Sequence, residues 1–174
     1  MIFLDQADAH SIAEQVRTAR LSPGVVAEHF LTQIDAREAA IQAFAAHDPQ
    51  CVRKQAQGLS SPRLNGVLAG VPVGIKDIID TCDHPTAFYS PIYANNWPSR
   101  DAHVVALLRQ AGAVIMGKTH TTEFAYMKTG PTRNPHDLRR TPGSSSAGSA
   151  AGMAAGFFAL ALGTQTAGSL LKPA

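Results

Sequence analysis

The stretch SRDAHVVALLRQAGAVIMGKT, residues 99–119, carries a helical pattern that runs directly into a strand pattern. Ser99 or Asp101 can cap a helix over 99–113. The apolar stripe of this helix consists of Val104, Leu107 and Leu108. After Gly112 the residues are stiff and apolar, which is typical of a buried strand. A helix followed at once by a strand predicts an α/β arrangement.

The last eight of these residues, GAVIMGKT (112–119), match the phosphate-loop pattern G-x-x-x-x-G-K-[ST]. A phosphate loop requires a strand before it, a flexible glycine turn within it and a helix after it. Here a helical pattern comes first, strand residues fill the four free positions, and the following THTTEF has no clear helical start. We therefore interpret Gly112 as the C-cap of the preceding helix, and we expect no stabilisation by ATP and magnesium.

Other segments extend the α/β pattern along the chain. Ser22, followed by a proline, begins an amphipathic helix over about 23–40, and a weaker helix covers 8–19. GVPVGIKDIIDT (70–81) predicts a buried strand and a turn, and a second apolar run, FFALALGTQT, spans 157–166. Strands that alternate with helices predict a layered α/β domain.

Composition excludes several classes of protein. A chain of 174 residues with 45% hydrophobic and 16% charged residues is long and apolar enough for one globular domain. A net charge of +2 without a basic patch argues against nucleic-acid binding. The first ten residues lack the basic start of a secretory signal, and the apolar stretch 150–163 is too short to span a bilayer. Cys51 and Cys82 have no metal-type spacing, which argues against a disulfide or zinc framework. From these features together we expect a cytoplasmic protein without membrane partners.

The tract GSSSAGSAAGMAAG (143–156) contains only Gly, Ser and Ala apart from Met153. It is either a flexible linker or a helix whose small side chains let neighbouring backbone approach an active site closely. Serine chemistry requires a nucleophile, an activating group and an oxyanion site. Because the seven histidines are scattered and no Ser-His-Asp order stands out, lysine is the remaining activator for serine.

Lys76 fits that role better than the other lysines, because it lies in the apolar run GVPVGIKDII (70–79). A lysine acts as a base only when it is neutral, and its reference pKa of about 10.4 falls on burial. Two interpretations follow from the residues alone. Lys76 activates a serine of the 143–156 tract, or it is an edge residue whose charge is neutralised by Asp77 or Asp80.

Four segments together closely resemble the amidase signature family. They are GVPVGIKDIIDT (70–81), RDAHVVALLRQAGAVIMGKTHTTEFA (100–125), GPTRNPHDLRRTPGSSSAGSAAGMAAG (130–156) and LALGTQTAGSLLKPA (160–174). The resemblance runs from about residue 60 to the end, and 1–60 fits the family's mainly helical lead-in. Residues 1–174 would thus be the N-terminal part of a single amidase-type domain, with an α/β core that carries the catalytic motifs over 61–174.

The resemblance implies a layered α/β/α fold around a central mixed sheet, incomplete because the C-terminal part is absent. It also implies hydrolysis of a carboxamide through a Ser–cis-Ser–Lys triad and an acyl-enzyme, without a metal or cofactor. Aligned with the family motifs, Lys76 is the base, Ser145 in GSSSAGS is the bridging serine and Ser169 in TAGS is the nucleophile. Ser144 and Ser146 flank Ser145 and are the alternatives to it. The implied oxyanion hole consists of the backbone N–H groups of Thr166, Ala167, Gly168 and Ser169.

The chain departs from the family pattern near the proposed nucleophile. Ala167 replaces a glycine, and its Cβ would misalign the oxyanion hole if the backbone there took a positive φ. Gln165 and Leu171 replace an aspartate and an arginine, a coherent paired loss because one buried charge alone is costly. That loss disfavours the amidotransferase subunits that act on charged tRNA.

Lys172 stands three residues after Ser169, where malonamidase-like members carry an arginine that meets a substrate carboxylate. We predict the same contact for Lys172, the alternative being a solvent-exposed lysine.

Members of the family are usually far longer than this chain, with later strands and most of the substrate pocket beyond this point. We therefore expect that the chain alone exposes strand edges and is poorly soluble or inactive. The leading interpretation is an amidase that acts on a small-molecule amide. The alternative is a non-catalytic fragment or subunit that needs a complementary chain or forms a homo-oligomer.

Overall fold

A computed structural model describes residue 4 and residues 7–59, 63–126 and 128–174. The α-helices of this part are α1 (Ala9–Arg17), α2 (Pro23–Ile41), α3 (Pro49–Gln57), α4 (His103–Gln110) and α5 (Ala147–Ala154). The strands are β1 (Phe44–Ala46), β2 (Pro72–Lys76), β3 (Val114–Thr119) and β4 (Leu160–Leu162). Short 3₁₀ turns cover Arg63–Asn65, Pro91–Tyr93 and Glu123–Ala125. Within this described part, no helix is both long and apolar enough to cross a membrane.

The strands form one mixed sheet in the order β1-β3-β2-β4. Strand β2 pairs in parallel with β3 on one side and with β4 on the other, and β1 is antiparallel to β3. Every residue of β2 and β3 is buried, so protein covers both faces of the sheet at its centre. The predicted layered α/β fold with a central mixed sheet is confirmed. Strand β1 was not predicted, because three residues are too few to display a strand pattern.

Helix α2 begins where the sequence predicts. The Ser22 side chain accepts a hydrogen bond from the N–H of Val25 at 3.2 Å, and Pro23 occupies the first helical position. The helix packs on α3 and the sheet. Its buried residues recur at helical spacing: Val26, Ala27, Phe30, Leu31, Ile34 and Ile41.

Helix α4 is shorter than the predicted 99–113, and the predicted cap is wrong. Its N-cap residue is Ala102, which has no side-chain oxygen to offer. Asp101 is engaged elsewhere, since its carboxylate accepts hydrogen bonds from the Cys82 N–H at 2.9 Å and from Arg109 Nε at 3.0 Å. The Asp101 carboxylate therefore ties α4 to the loop after β2 instead of capping the helix.

The apolar stripe predicted for α4 is also partly wrong. Val104 and Leu107 are exposed, whereas Val105 is fully buried and Leu108 is half-buried. The buried pair lies three residues apart, as does the exposed pair, so both fit a helical period. Sequence spacing alone could not decide which of the two pairs faces the core.

Gly112 ends helix α4 as the sequence predicts, but it stands one position beyond the C-cap residue. Gly112 has a φ of +95° and donates its N–H to the Arg109 carbonyl at 3.1 Å. The next N–H, of Ala113, reaches the Leu108 carbonyl at 3.0 Å. These two bonds form a Schellman motif, in which the glycine follows the C-cap residue Ala111 by one position. The stretch that matches a phosphate loop is thus a helix end followed by a buried strand.

The tract of small residues forms helix α5, so the linker interpretation is wrong for residues 147–154. A Cβ at Gly148 would collide with the backbone of Ala43 and His120, and one at Gly152 would collide with the Phe158 ring. Helix α5 therefore packs on the sheet at a distance that only glycine permits at these positions. This contact places the serines that precede α5 beside the end of β2.

Candidate active site

Lys76 is the last residue of β2 and is fully buried. Side chains alternate along a strand, so Lys76 shares a face with Gly74, which packs against Phe158 below α5. Burial lowers the pKa of the Lys76 amine to about 8, because the charged form loses its hydration. Within the described residues Lys76 forms no ion pair.

The Lys76 amine lies between two hydroxyl groups. Its Nζ is 2.7 Å from Ser145 Oγ and 2.8 Å from Thr164 Oγ1. Ser145 is almost fully buried, while Thr164 is half-buried. The distance to Ser145 is short enough for a proton to pass along the hydrogen bond. The structure therefore brings together two of the three side chains that the sequence singled out.

The interpretation that Asp77 neutralises Lys76 is wrong. The Asp77 carboxylate lies on the opposite face of the sheet and forms an ion pair of 3.1 Å with Lys118 Nζ. Both members of this pair are buried. Consecutive side chains of β2 thus point away from each other, and Asp77 finds its partner on β3.

Ser169 lies beside the start of α5 and is half-buried. Its carbonyl accepts the Ser146 N–H at 2.9 Å. Ser146 Oγ also donates to the Thr164 carbonyl and accepts the Thr164 N–H, both at 3.2 Å. The backbone at Ser146 is therefore held beside the segment from Thr164 to Ser169. Ser169 Oγ itself makes no hydrogen bond to any described residue, so its direct link to Ser145 stays a prediction.

Residues 166–169 are a loop with free backbone donors. Across the described chain, none of these four N–H groups donates a hydrogen bond to protein. Gly168 has a φ of +142°, whereas Ala167 is not among the residues at positive φ. The Cβ of Ala167 consequently causes no left-handed strain, so the condition under which we expected a misaligned oxyanion hole is not met.

The two uncharged replacements near Ser169 are exposed in the structure. Gln165 Oε1 accepts the N–H groups of Leu170 and Leu171 at 3.2 and 2.9 Å. A single charge at position 165 or 171 would therefore not be buried, and the expected cost of a lone charge is absent because an exposed group keeps its hydration. Lys172 is exposed as well, and its contact with a substrate stays a prediction.

Thr164, the second contact of the Lys76 amine, was not predicted from the sequence. Thr164 is the first polar residue after the apolar run 157–163, and it follows the end of β4. Because β4 and β2 are parallel neighbours, their carboxyl ends meet at the same edge of the sheet. That position is the signal that could have identified it. No group of three metal-ligating side chains that could hold an ion occurs among the described residues.

Comparison with known sequences identifies one family. A family model described as Amidase matches residues 25–174. The A subunit of the glutamyl-tRNA(Gln) amidotransferase from Carboxydothermus hydrogenoformans is 41% identical over an alignment of 176 positions. The alignment covers 95% of this chain and 36% of that protein. This relative belongs to the amidotransferase branch, which the replacements at positions 165 and 171 had disfavoured.

Solved structures give the same picture. The peptide amidase of Stenotrophomonas maltophilia superimposes with a TM-score of 0.87 at 28% identity, over 97% of this chain and 38% of that one. The A subunit of the Thermotoga maritima glutamyl-tRNA(Gln) amidotransferase superimposes with a TM-score of 0.80 at 32% identity, over 99% and 37%. The chain therefore spans a little over a third of the length of these relatives.

Proposed function

The chain belongs to the amidase family, and from that premise we propose that it supplies the catalytic part of an enzyme that hydrolyses the C–N bond of a small-molecule carboxamide. The observation that carries this proposal is the hydrogen bond of 2.7 Å between the buried Lys76 Nζ and the buried Ser145 Oγ. A buried amine without a carboxylate partner can lose its charge, and only an uncharged amine can take a proton from serine.

The proposed reaction begins with two proton transfers. Uncharged Lys76 accepts the hydroxyl proton of Ser145, which accepts the proton of Ser169 as Ser169 Oγ attacks the amide carbon. This step requires a hydrogen bond between the two serine hydroxyls. The hydrogen bond from the Ser146 N–H to the Ser169 carbonyl supports such a contact. It holds the backbone of Ser169 beside Ser146, which is the residue next to Ser145.

The oxyanion that forms on the amide oxygen is held by the N–H groups of residues 166–169. Supporting this role, these donors are unoccupied within the described residues and need no side chain. Ser145 then returns a proton to the departing ammonia or amine as the C–N bond breaks. Water attacks the acyl-enzyme on Ser169 and releases the acid.

The lowered pKa makes Lys76 a usable base near neutral pH. With a pKa of about 8, half of the Lys76 amines are uncharged at pH 8. At the reference value of about 10.4, only about 0.4% would be uncharged at that pH. Burial thus raises the reactive fraction by about a hundredfold.

Covalent labelling tests the assignment without requiring turnover. A fluorophosphonate transfers its phosphorus to an activated serine oxygen as the P–F bond breaks, and mass spectrometry locates the adduct. We expect the adduct on Ser169, with Lys76→Met and Ser145→Ala slowing its formation strongly and the control Ser144→Ala slowing it little. Labelling that persists in Ser169→Ala at the wild-type rate would refute the proposed nucleophile.

A second candidate function is that of a subunit completed by another polypeptide. The favouring observation is strand β4, which pairs with β2 on one side and is only half-buried along its length. Beyond β4, Leu171 exposes 74% of its surface. An edge strand with apolar neighbours is suited to accept a further strand.

Co-expression distinguishes the two candidates. The chain would be produced alone and together with a polypeptide carrying the remaining part of an amidase domain, and both would be analysed by size-exclusion chromatography with light scattering. A stable 1:1 complex with amide hydrolysis only in the complex supports the subunit role. A monodisperse chain that hydrolyses amides alone would contradict it.

Whichever preparation hydrolyses amides can also be used to test the role of Lys172. We propose that its ammonium pairs with a carboxylate on the substrate, so Lys172→Ala should reduce kcat/KM on acid-bearing amides and leave neutral amides unchanged. Equal losses on both substrate classes would remove this role.

A further inference from the structure

We propose that Lys118 is a positioning residue for the proposed reaction: by pairing with Asp77, it keeps the carboxylate next to the catalytic amine engaged, so that Lys76 can lose its charge and accept a proton. The inference rests on the proposed function, since it assigns a role toward the Lys76 base. It also gives a role to the lysine of the stretch that merely resembles a phosphate loop.

The geometry separates two lysines across the centre of the sheet. In the parallel pairing of β2 with β3, Lys76 lies opposite Thr119, and Lys118 lies opposite Ile75. Thr119 Oγ1 is 2.7 Å from Ser149 Oγ on α5, so Thr119 and Lys76 face α5. Lys118, one residue earlier, points to the other face.

On that other face Lys118 is held by three oxygen acceptors. Its Nζ lies 3.1 Å from Asp77 Oδ1, 2.6 Å from Thr86 Oγ1 and 3.2 Å from the Pro85 carbonyl. All three hydrogens of an ammonium group are therefore used. The amine is fully buried, and such a set of acceptors fits a charged lysine rather than a neutral one.

Asp77 is held from a second side. The Ala87 N–H donates to both carboxylate oxygens, at 3.2 and 3.3 Å. Burial raises the pKa of the Asp77 carboxyl, and the Lys118 ammonium and the Ala87 N–H oppose that rise. With Lys118 in place, the carboxylate is satisfied without a proton from Lys76.

Other titratable groups near this pair do not replace Lys118. Burial lowers the pKa of the Lys118 amine, and Asp77, Asp80 and Asp83 all oppose that change. Asp80 and Asp83 are themselves acidic, so they supply no positive charge to replace Lys118. A cavity of about 390 Å³ next to Asp77 is also lined by His120 and Lys128. Burial lowers the pKa of His120 to about 4, so it is neutral at pH 7, while Lys128 is exposed and pairs with Glu123 at 3.5 Å. Lys118 is thus the cation that contacts Asp77.

Stability alone gives no reason for a buried ion pair at this place. Replacing both members of such a pair by apolar residues is often neutral or stabilising, because the charges lose their hydration. A carboxylate without its cation, however, would act on the next available amine through the sheet. On the other face of β2 that amine is Lys76. Because Lys76 is buried, water screens it little from the negative charge of Asp77.

Nuclear magnetic resonance can measure the proposed effect directly. The chain contains five lysines, so side chains labelled with ¹³C and ¹⁵N can be assigned by substitution. The Lys76 amine would be titrated in the wild type, in Lys118→Met, in Lys118→Arg and in Asp77→Asn/Lys118→Met. We expect Lys118→Met to raise the pKa of Lys76 by about one unit or more. Lys118→Arg and the double variant should retain the wild-type value.

An unchanged pKa of Lys76 in folded Lys118→Met would overturn the proposal and leave Lys118 a purely structural residue. If that variant does not fold, the wild type still decides, through the ¹³C shift of the Asp77 carboxyl. The proposal requires Asp77 to stay ionised over the pH range in which Lys76 titrates, and a protonated Asp77 at pH 7 contradicts it. Neither measurement uses turnover, so an unchanged pKa of Lys76 would leave the proposed function intact. Conversely, fluorophosphonate labelling of Ser169→Ala at the wild-type rate would refute the proposed function without changing the measured pKa of Lys76.

Discussion

Lys76 and Lys118 are two fully buried lysines on neighbouring strands, and they differ in what surrounds the amine. Lys118 contacts a carboxylate, a hydroxyl and a carbonyl, whereas Lys76 contacts two hydroxyl groups. Neither side chain has exposed surface, so the groups that contact each amine must determine whether it is charged. A carboxylate partner favours the ammonium, while hydroxyl partners leave the amine free to become neutral. Burial disfavours the charged form of both amines, and the groups that contact each amine determine whether it keeps its charge.

The largest expected effect separates the two lysines by function. In a form of the protein that hydrolyses an amide, Lys76→Met should reduce kcat by at least about a thousandfold, because the proton acceptor is lost. This corresponds to about 4 kcal/mol of transition-state stabilisation. Steady-state kinetics with circular dichroism as the folding control would measure it. A Lys76→Met enzyme with a kcat within tenfold of the wild-type value would show that Lys76 is not the proton acceptor.

The next effect separates them by stability. Lys118→Met leaves the Asp77 carboxylate buried without its cation and should destabilise the fold by about 3–5 kcal/mol. Lys76→Met removes an amine that has no counter-ion among the described residues, so the free energy of unfolding should stay equal or rise. Urea unfolding at pH 7 measures both. The prediction fails if the two variants lose the same stability.

Stability as a function of pH sharpens the comparison further. The pKa of Lys76 is about 8 in the fold and about 10.4 in an unfolded chain, so the folded state is penalised while the lysine is charged. The penalty is complete below pH 8 and disappears as the pH rises toward about 10.4. Between these values the wild type should gain roughly 3 kcal/mol relative to Lys76→Met. Because Lys118 is common to both proteins, a constant difference across this range would show that the pKa of Lys76 is not lowered in the fold.

The smallest effect compares the hydroxyl partners. Thr86 accepts from Lys118 at 2.6 Å, and Thr164 accepts from Lys76 at 2.8 Å. A hydrogen bond to a charged group contributes about 1.5–3 kcal/mol and a neutral one about 0.5–1.5 kcal/mol. Thr86→Val should therefore destabilise more than Thr164→Val in thermal unfolding at pH 9. Equal losses would mean that both amines carry the same charge.

The fold was largely predictable from local patterns, and its edges were not. Ser22 and Gly112 mark a helix start and a helix end through backbone chemistry that acts within a few residues. Strand β1 and the buried face of α4 depend on which surfaces meet in the folded chain. Asp101 shows the limit, since a good capping residue was taken instead by Arg109, eight positions away.

The candidate site was predictable where a motif fixes a residue type. Lys76 stands out as a lysine within an apolar run, and Ser145 was identified by resemblance to a family motif. Thr164 and Lys118 were missed as parts of the surroundings of Lys76, because their roles follow from strand pairing and from the alternation of faces. The position of Ser169 Oγ relative to Ser145 stays a prediction.

Helix α5 meets the sheet through glycine hydrogens, so no flexible side chain lies between the two at Gly148. A layer of longer side chains could absorb a displacement by rotating, but two backbones in contact transmit it whole. We therefore expect the start of α5 and the backbone at Ala43 and His120, which flank β1 and β3, to move as parts of one rigid body. Their separation should be insensitive to temperature until the whole domain melts.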